Sequence, residues 1–164
     1  MRLFSILLLL AAASEPRLAD VHTRGDVLDA FRARSRVRVV NVWATWCAPC
    51  VAEIGDLQRI ASDFEDKSVE VVGVSLDDAI PGDRAASKLK VQRFLAARSI
   101  RFRNVYYVGP PSELADELRF DGTIPITIVY DRNGRELARN EGKLDVPWFR
   151  KTLAGLAQAQ GGTK

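Results

Sequence analysis

Residues 39–54 read VVNVWATWCAPCVAEI, and this stretch contains both cysteines of the 164-residue chain, Cys47 and Cys50. Upstream of the pair, the sequence is a short apolar, β-branched run, which predicts a buried strand. Downstream, apolar residues recur at the spacing of a helix: they are Val51, Ile54, Leu57, Ile60, Ala61 and Phe64. The Cys-x-x-Cys motif therefore lies at a predicted junction between a strand and a helix.

The start of a helix favours a reactive thiol. Its unpaired N–H groups and its dipole stabilise a thiolate, and such a position can lower a cysteine pKa from about 8.5 to roughly 3.5–7.5. We therefore predict that Cys47, which begins the helix, is the nucleophile and the more exposed thiol. Cys50, one turn further, is predicted to be the more buried, resolving thiol. A Cys47–Cys50 disulfide that opens and closes is typical of thiol–disulfide exchange.

A purely structural role explains the two cysteines less well. A disulfide that closes so short a loop constrains little of the unfolded chain. A structural zinc site needs about four protein ligands, whereas this chain has two cysteines and a single histidine, His22. We therefore predict neither a metal nor another cofactor.

Two blocks of the sequence resemble the thioredoxin superfamily, and they are most similar to its TlpA/ResA/DsbE-like branch of extracytoplasmic thiol–disulfide oxidoreductases. The first block is residues 40–50 followed by Glu53, and the second is residues 122–134, GTIPITIVYDRNG. The resemblance extends over about residues 26–151. It implies a cis peptide bond before Pro125, opposite the Cys-x-x-Cys motif. Relatives usually have a longer N-terminal strand, so we expect this part of the fold to be reduced here.

The order of predicted elements indicates an α/β fold, namely a thioredoxin-like three-layer α/β/α sandwich around a central mixed β-sheet. The predicted strands are residues 36–43, 69–76, 102–108, 124–130 and 136–140. The predicted helices are residues 26–34, 48–65, 85–98, 112–118 and 146–157, with Ser112 as a possible cap. The third helix and third strand form a helix–strand insertion before the cis-Pro hairpin, as the resemblance implies.

The chain begins with features of a secretory signal. Arg2 precedes an apolar run, residues 3–13, that ends in three alanines. The run is shorter than the 17–25 residues or so of a membrane span. We predict a cleavable signal peptide at residues 1–13, a short segment at 14–25, a single thioredoxin-like domain at 26–158 and a flexible tail at 159–164. Export places the protein in the periplasm or an equivalent oxidising compartment.

The composition is that of a soluble globular domain, with 47% hydrophobic and 27% charged residues. The net charge is +3, and the basic residues are interspersed with acidic ones. This distribution argues against a nucleic-acid partner. No repeat or second domain is evident, and we predict a monomer.

The residues around the two thiols indicate the direction of the reaction. Trp46 is predicted to shield Cys47 or to contribute a partner-binding surface, with simple packing as the alternative. Pro49 lacks an N–H, which the first turn of a helix tolerates, and it stiffens the loop. Ala48 and Pro49 offer no side-chain hydrogen bond to a sulfur, whereas strongly oxidising relatives gain extra stabilisation of the thiolate. The loop therefore favours a reducing enzyme.

The resemblance also implies a substrate groove at Ile124 and Pro125, in which the backbone of Ile124 pairs with an extended substrate segment. An ordinary trans bond before Pro125 is the alternative that the residues alone leave open.

The sequence offers two candidate proton carriers for Cys50. Asn41 stands where cytoplasmic thioredoxins carry a buried aspartate, and its amide cannot titrate. Asp78 matches, by resemblance, a carboxylate at the end of the next strand. Glu53, one turn after Cys50, is the other candidate. For both carboxylates, an exposed or capping role is the alternative.

The predicted function is an exported thiol–disulfide oxidoreductase that mainly reduces protein disulfides through a mixed disulfide with Cys47. The resemblance implies two partners, a disulfide-bearing protein substrate and a membrane-bound thiol reductase as electron donor, and cytochrome c maturation is one family role. One alternative is a non-catalytic binding or chaperone module. Another is a peroxiredoxin-like peroxidase, which fits residues 44–47 poorly because a preceding proline and the Thr-x-x-Cys spacing are missing.

Overall fold

The strands form one six-stranded mixed sheet in a computed structural model of the chain, which describes residues 18–161. The strands are β1 (Ala19–Val21), β2 (Val37–Trp43), β3 (Val69–Ser75), β4 (Arg103–Tyr107), β5 (Ile126–Asp131) and β6 (Glu136–Glu141). Their order across the sheet is β1-β4-β3-β2-β5-β6. The first four strands in this order pair in parallel, whereas β5 pairs antiparallel with both β2 and β6.

Five α-helices cover the two faces of this sheet. They are α1 (Arg24–Asp29), α2 (Ala48–Phe64), α3 (Arg84–Ala97), α4 (Pro111–Leu118) and α5 (Val146–Gly161). Side chains alternate along a strand, so Val37 and Val39 of β2 pack with α2 and α5, while Val40 and Val42 pack with α1 and α4. The predicted thioredoxin-like α/β sandwich is confirmed.

The helix–strand insertion is also present. Helix α3 and strand β4 lie between β3 and the hairpin of β5 and β6, and β4 occupies the position between β1 and β3 in the sheet. A hydrogen bond of 3.0 Å from Trp43 Nε1 to Asn104 Oδ1 ties β2 to β4. Gly73 lies beneath this bond, where a Cβ would stand 2.1 Å from Asn104 Oδ1.

The N-terminal part of the domain differs from the sequence prediction. β1 pairs with β4, so the sheet begins before residue 26, and a strand of three residues is too short to show an alternating pattern. α1 spans residues 24–29, not 26–34, because Thr23 caps it and forms a reciprocal capping box with Asp26. Asp26 is thus the third residue of the helix rather than its first.

Two later helices also differ in their bounds. α4 is preceded by Pro110, begins at Pro111 and has no side-chain cap, so Ser112 is not the capping residue; proline at the first helical position is favourable. α5 continues to Gly161, so residues 159–161 are helical rather than part of a tail, since alanine and glutamine are good helix formers. The predicted signal peptide, residues 1–13, lies outside the described residues. Among the helices of residues 18–161, none is long and apolar enough to cross a membrane.

The topology gathers three chain segments at one edge of the sheet. β2 and β3 are parallel and end at Trp43 and Ser75, while β5 runs the other way and begins at Ile126. The segments after β2, after β3 and before β5 therefore meet at this edge. They carry the Cys-x-x-Cys motif, the acidic pair Asp77 and Asp78, and Ile124–Pro125 respectively.

Candidate active site

The Cys-x-x-Cys motif forms the first turn of α2. Cys47 is the N-cap, with an extended backbone (φ −90°, ψ 103°), and its Sγ accepts a hydrogen bond of 3.3 Å from Cys50 N. The two sulfurs form a disulfide. Cys47 is 6% exposed and Cys50 is 1% exposed, so the order of exposure agrees with the prediction, although both residues are buried.

The cis-proline lies against this disulfide. The Ile124–Pro125 peptide bond is cis, as the resemblance implied, and the carbonyl oxygen of Ile124 lies 3.7 Å from Cys47 Sγ. Pro125 is buried and Ile124 is half-buried. The carbonyl of Pro125 accepts a hydrogen bond of 2.9 Å from Gly142 N, which joins the proline to the loop that precedes α5.

The surface around the disulfide is apolar. Trp46 is 46% exposed, and Ala48 and Pro49 are exposed as well. A large aromatic side chain next to a buried disulfide offers contact area to a partner. Because these three residues are exposed, a partner can approach the motif next to Cys47.

Glu53 lies three residues after Cys50 on α2, and both side chains are buried. Glu53 is 1% exposed, which rules out the exposed carboxylate considered from the sequence. Its Oε2 accepts a hydrogen bond of 2.7 Å from Leu144 N, and its Oε1 accepts one of 3.3 Å from Asn41 Nδ2. Burial raises the pKa of Glu53, and these two hydrogen bonds oppose the rise only in part.

Asn41 connects Glu53 to the neighbouring strand. Its Nδ2 also donates a hydrogen bond of 3.0 Å to Thr127 Oγ1, and Asn41 and Thr127 face each other in the β2–β5 ladder. Since Asn41 has no titratable proton, Glu53 is the titratable side chain of this buried cluster.

The two aspartates after β3 have different surroundings. Asp78 forms a bidentate ion pair with Arg84, at 3.0 Å to each carboxylate oxygen. Asp77 is buried and accepts hydrogen bonds from the backbone N–H and the hydroxyl of Thr45 and from the hydroxyl of Ser75. Of the two, Asp77 contacts the loop before Cys47. The sequence placed Asp77 next to the candidate Asp78 and gave it no role, although its position at the carboxyl end of a central parallel strand was a usable signal.

The site is built from thiols and carboxylates that do not converge on a cation. Within residues 18–161, no three or more His, Cys, Asp or Glu side chains are grouped so as to hold a metal ion.

A Cys-x-x-Cys disulfide at the start of α2, opposite a cis-proline on this sheet, defines a thioredoxin-like protein. A model of the AhpC/TSA family matches residues 16–139. The chain therefore belongs to the AhpC/TSA family.

Two curated relatives have names that describe thiol–disulfide chemistry. The thiol–disulfide oxidoreductase ResA of Oceanobacillus iheyensis is 32% identical over 82 residues, which are 44% of this chain and 38% of that protein. The thiol:disulfide interchange protein HelX of Rhodobacter capsulatus is 30% identical over 128 residues, which are 78% of this chain and 65% of that protein. The matches thus span only about two fifths to two thirds of the relatives' length.

Solved structures show the same fold. A DsbF homologue from Corynebacterium diphtheriae has a TM-score of 0.62 at 28% identity, over 75% of this chain and 73% of that one. StoA from Bacillus subtilis has a TM-score of 0.59 at 21% identity, over 73% and 84%, and supports the fold alone. The likeness to ResA and HelX, with a shared fold in the solved structures, confirms the predicted resemblance to TlpA/ResA/DsbE-like thiol–disulfide oxidoreductases.

Proposed function

We propose that this protein is a thiol–disulfide oxidoreductase that reduces the disulfides of substrate proteins outside the cytoplasm. The observation that carries the proposal is the position of the disulfide, with Cys47 Sγ at the N-terminus of α2 and 3.7 Å from the carbonyl oxygen that precedes cis-Pro125. This geometry places the more exposed sulfur beside a backbone segment on which a peptide can lie.

The first step uses Cys47. In the reduced protein its thiolate, stabilised by the start of α2 and the Cys50 N–H, attacks one sulfur of a substrate disulfide. The substrate S–S bond breaks, a Cys47–substrate disulfide forms, and the departing substrate sulfur takes a proton from water. The substrate segment lies beside Ile124 and Pro125, and the exposed Trp46 next to Cys47 adds contact area.

The second step uses Cys50. Its thiolate attacks Cys47 Sγ, the bond from Cys47 to the substrate breaks, and the second substrate sulfur departs as a thiolate that takes a proton from water. The Cys47–Cys50 disulfide remains, so two electrons have passed to the substrate. Glu53 lies three residues further on α2, on the same side of the helix, and it accepts the proton of Cys50. Burial raises the pKa of Glu53, which brings it nearer to the range that suits a proton acceptor at neutral pH.

Asp78 is the rival proton carrier. Both of its oxygens are bound by Arg84, so it would have to leave this ion pair in order to reach Cys50. We assign the role to Glu53 and expect Asp78→Asn to keep the turnover of the native chain while Glu53→Gln slows the resolving step.

The surroundings of Cys47 support the reducing direction. The polar contacts that the structure gives its sulfur are one backbone N–H and one carbonyl oxygen, and the oxygen does not stabilise a thiolate. Strong oxidants need a strongly stabilised reduced form. The reducing direction requires re-reduction, for which a membrane-bound thiol reductase is the proposed donor, and the protein is proposed to act as a monomer exported by residues 1–13.

The test is reduction of insulin disulfides by the full chain with dithiothreitol as reductant. We expect the chain to accelerate the reaction, Cys47→Ser to be inactive, and Cys50→Ser to accumulate a Cys47–insulin disulfide visible by mass spectrometry. The binding module would be favoured by two results together. The native chain would not accelerate insulin reduction, and Cys47→Ser would keep full activity in a binding or chaperone assay. Consumption of hydrogen peroxide in place of insulin disulfides would favour the peroxidase.

A further inference from the structure

Asp77 lies behind the segment that leads into Cys47. It is the first residue of the short 3-10 helix Asp77–Ala79, directly after β3, and its side chain is 3% exposed. Its carboxylate accepts hydrogen bonds from Thr45 N at 3.1 Å, from the Thr45 hydroxyl and from Ser75 Oγ at 2.8 Å. The carboxylate thus fixes both the backbone and the side chain of Thr45, two residues before Cys47.

The charge of Asp77 has no cationic partner among the ion pairs of residues 18–161. Its neighbour Asp78 differs, because Arg84 binds both of its oxygens. All the donors to the Asp77 side chain are neutral. Thr45 and Ser75 thus supply hydrogen bonds to this carboxylate but no positive charge.

The carboxylate contacts the chain two residues before the nucleophile. The Cα atoms of Thr45 and Cys47 are at most about 7.6 Å apart along the chain, and a hydrogen bond of 2.8 Å from Leu76 N to Trp43 O ties the ends of β3 and β2 together. A charge buried beside the loop is screened little by salt, and its effect on a neighbouring thiolate is stronger than it would be in water.

We propose that Asp77 is a positioning residue of the thiol–disulfide pair, which holds the segment before Cys47 and whose negative charge disfavours the Cys47 thiolate. The consequence is a dithiol that gives up its two electrons and two protons more readily, so that the Cys47–Cys50 disulfide is favoured. This inference rests on the proposed function and assigns Asp77 a share in setting its reducing direction.

The main test is Asp77→Asn, which preserves size and one acceptor oxygen but removes the charge. The equilibrium measured is the reaction of the disulfide with two molecules of glutathione, which gives the dithiol and one glutathione disulfide. We expect the constant to shift toward the dithiol by about threefold or more, on a scale where tenfold is about 30 mV. In a Cys50→Ser background, the pH midpoint of Cys47 alkylation by iodoacetamide is expected to fall.

Asp131→Asn is the matched control. Asp131 is also buried, lies at the other end of β5 and accepts hydrogen bonds from the N–H groups of Asn133 and Arg135. Unlike Asp77, it also forms an ion pair of 3.2 Å with the Arg135 side chain. The same chemical change there is expected to lower stability without altering the glutathione equilibrium or the alkylation midpoint. An equal shift in Asp131→Asn would overturn the proposal, because the effect would then reflect general loosening.

Thr45→Val separates charge from loop order and serves if Asp77→Asn does not fold. It removes one neutral donor and keeps the carboxylate charge, so we expect the alkylation midpoint to rise. A fall in the alkylation midpoint of Thr45→Val would overturn the proposal. If the native chain exchanges reversibly with glutathione, an equilibrium constant for Asp77→Asn equal to that of the native chain would overturn it as well. If the native chain itself shows no reversible exchange, the proposed function fails, and the role of Asp77 fails with it.

Discussion

The two cysteines each have a buried carboxylate nearby, and the two carboxylates are held differently. On the Cys47 side, Asp77 accepts from two hydroxyls and a backbone N–H. On the Cys50 side, Glu53 accepts from a backbone N–H at 2.7 Å and from an amide at 3.3 Å, and burial raises its pKa. Burial alone therefore does not decide what a carboxylate does. The proposed roles differ accordingly: Asp77 holds the segment before Cys47, and Glu53 accepts a proton.

The difference fits the two chemical steps. Cys47 begins each cycle and needs a fixed geometry, which the contacts of Asp77 with Thr45 supply. Cys50 must lose a proton in the middle of the cycle, and Glu53 can hold that proton because its charged form is poorly solvated. In the proposed mechanism, the Cys47 side therefore influences the equilibrium of the pair, and the Cys50 side influences the rate of its second step.

The largest expected effect separates the two thiols. Cys47→Ser should reduce the rate of insulin reduction to the background rate, because no nucleophile remains. Cys50→Ser should still complete the first step and stop at the mixed disulfide, which non-reducing electrophoresis detects. Mixed-disulfide formation by Cys47→Ser and not by Cys50→Ser would reverse the assignment of the two sides.

The next effect concerns the stability that depends on Glu53. Glu53→Ala leaves the N–H of Leu144 without an acceptor and opens a cavity, so we expect a loss of about 2–4 kcal/mol in the free energy of unfolding. Glu53→Gln retains the volume and one acceptor and should cost about 1 kcal/mol or less. Urea denaturation of both variants checks the difference, and equal losses would mean that the hydrogen bond from Leu144 contributes little.

The pH dependence of stability sharpens the comparison further. Because the pKa of Glu53 is raised above its ordinary value of 4.5, the folded protein retains this proton at pH values where the unfolded chain has released it. The contribution of Glu53 to stability is complete below that ordinary value and is lost as pH rises through the raised one.

Glu53→Gln lacks this proton and provides the reference. The free energy of unfolding of the native chain minus that of Glu53→Gln should fall with rising pH, by at most about 1.4 kcal/mol per pH unit. Urea titrations at intervals from about pH 4 to about pH 8 measure it. A stability difference that rises with pH would show that the hydrogen bonds to Glu53 lower its pKa by more than burial raises it.

The smallest effect tests whether the two sides are independent. Asp77→Asn and Thr45→Val change the two partners of the same hydrogen bond. Their stability losses should therefore be non-additive by about 1 kcal/mol. Asp77→Asn and Glu53→Gln share no partner, so their losses should add to within about 0.5 kcal/mol. Strong coupling in the second pair would mean that the two sides act as one network.

The sequence predicted the parts of the site that depend on local pattern. The strand-to-helix junction around Cys47 was predicted from the change in the spacing of apolar residues. The cis bond before Pro125 was predicted from the resemblance. The burial of Glu53 depends on Leu144, which is 91 positions away. No local pattern contains that contact.

Other features escaped prediction for similar reasons. The proposed role of Asp77 depends on its hydrogen bonds with Thr45, which lies 32 positions earlier, in the loop after β2. β1 has only three residues, and its pairing with β4 is decided by the sheet rather than by its own sequence. By contrast, β2, β3 and α2 were predicted to within one residue, since each has a long run of buried apolar residues.

The central claim is that Cys47 and Cys50 form a reversible and reducing pair. The most direct measurement is the equilibrium reduction potential of the chain, titrated against glutathione or dithiothreitol with tryptophan fluorescence as the signal. We predict a two-electron transition near that of thioredoxin, about −270 mV. A potential near about −120 mV would identify an oxidant and contradict the proposed direction. The absence of a reversible transition would contradict thiol–disulfide exchange itself.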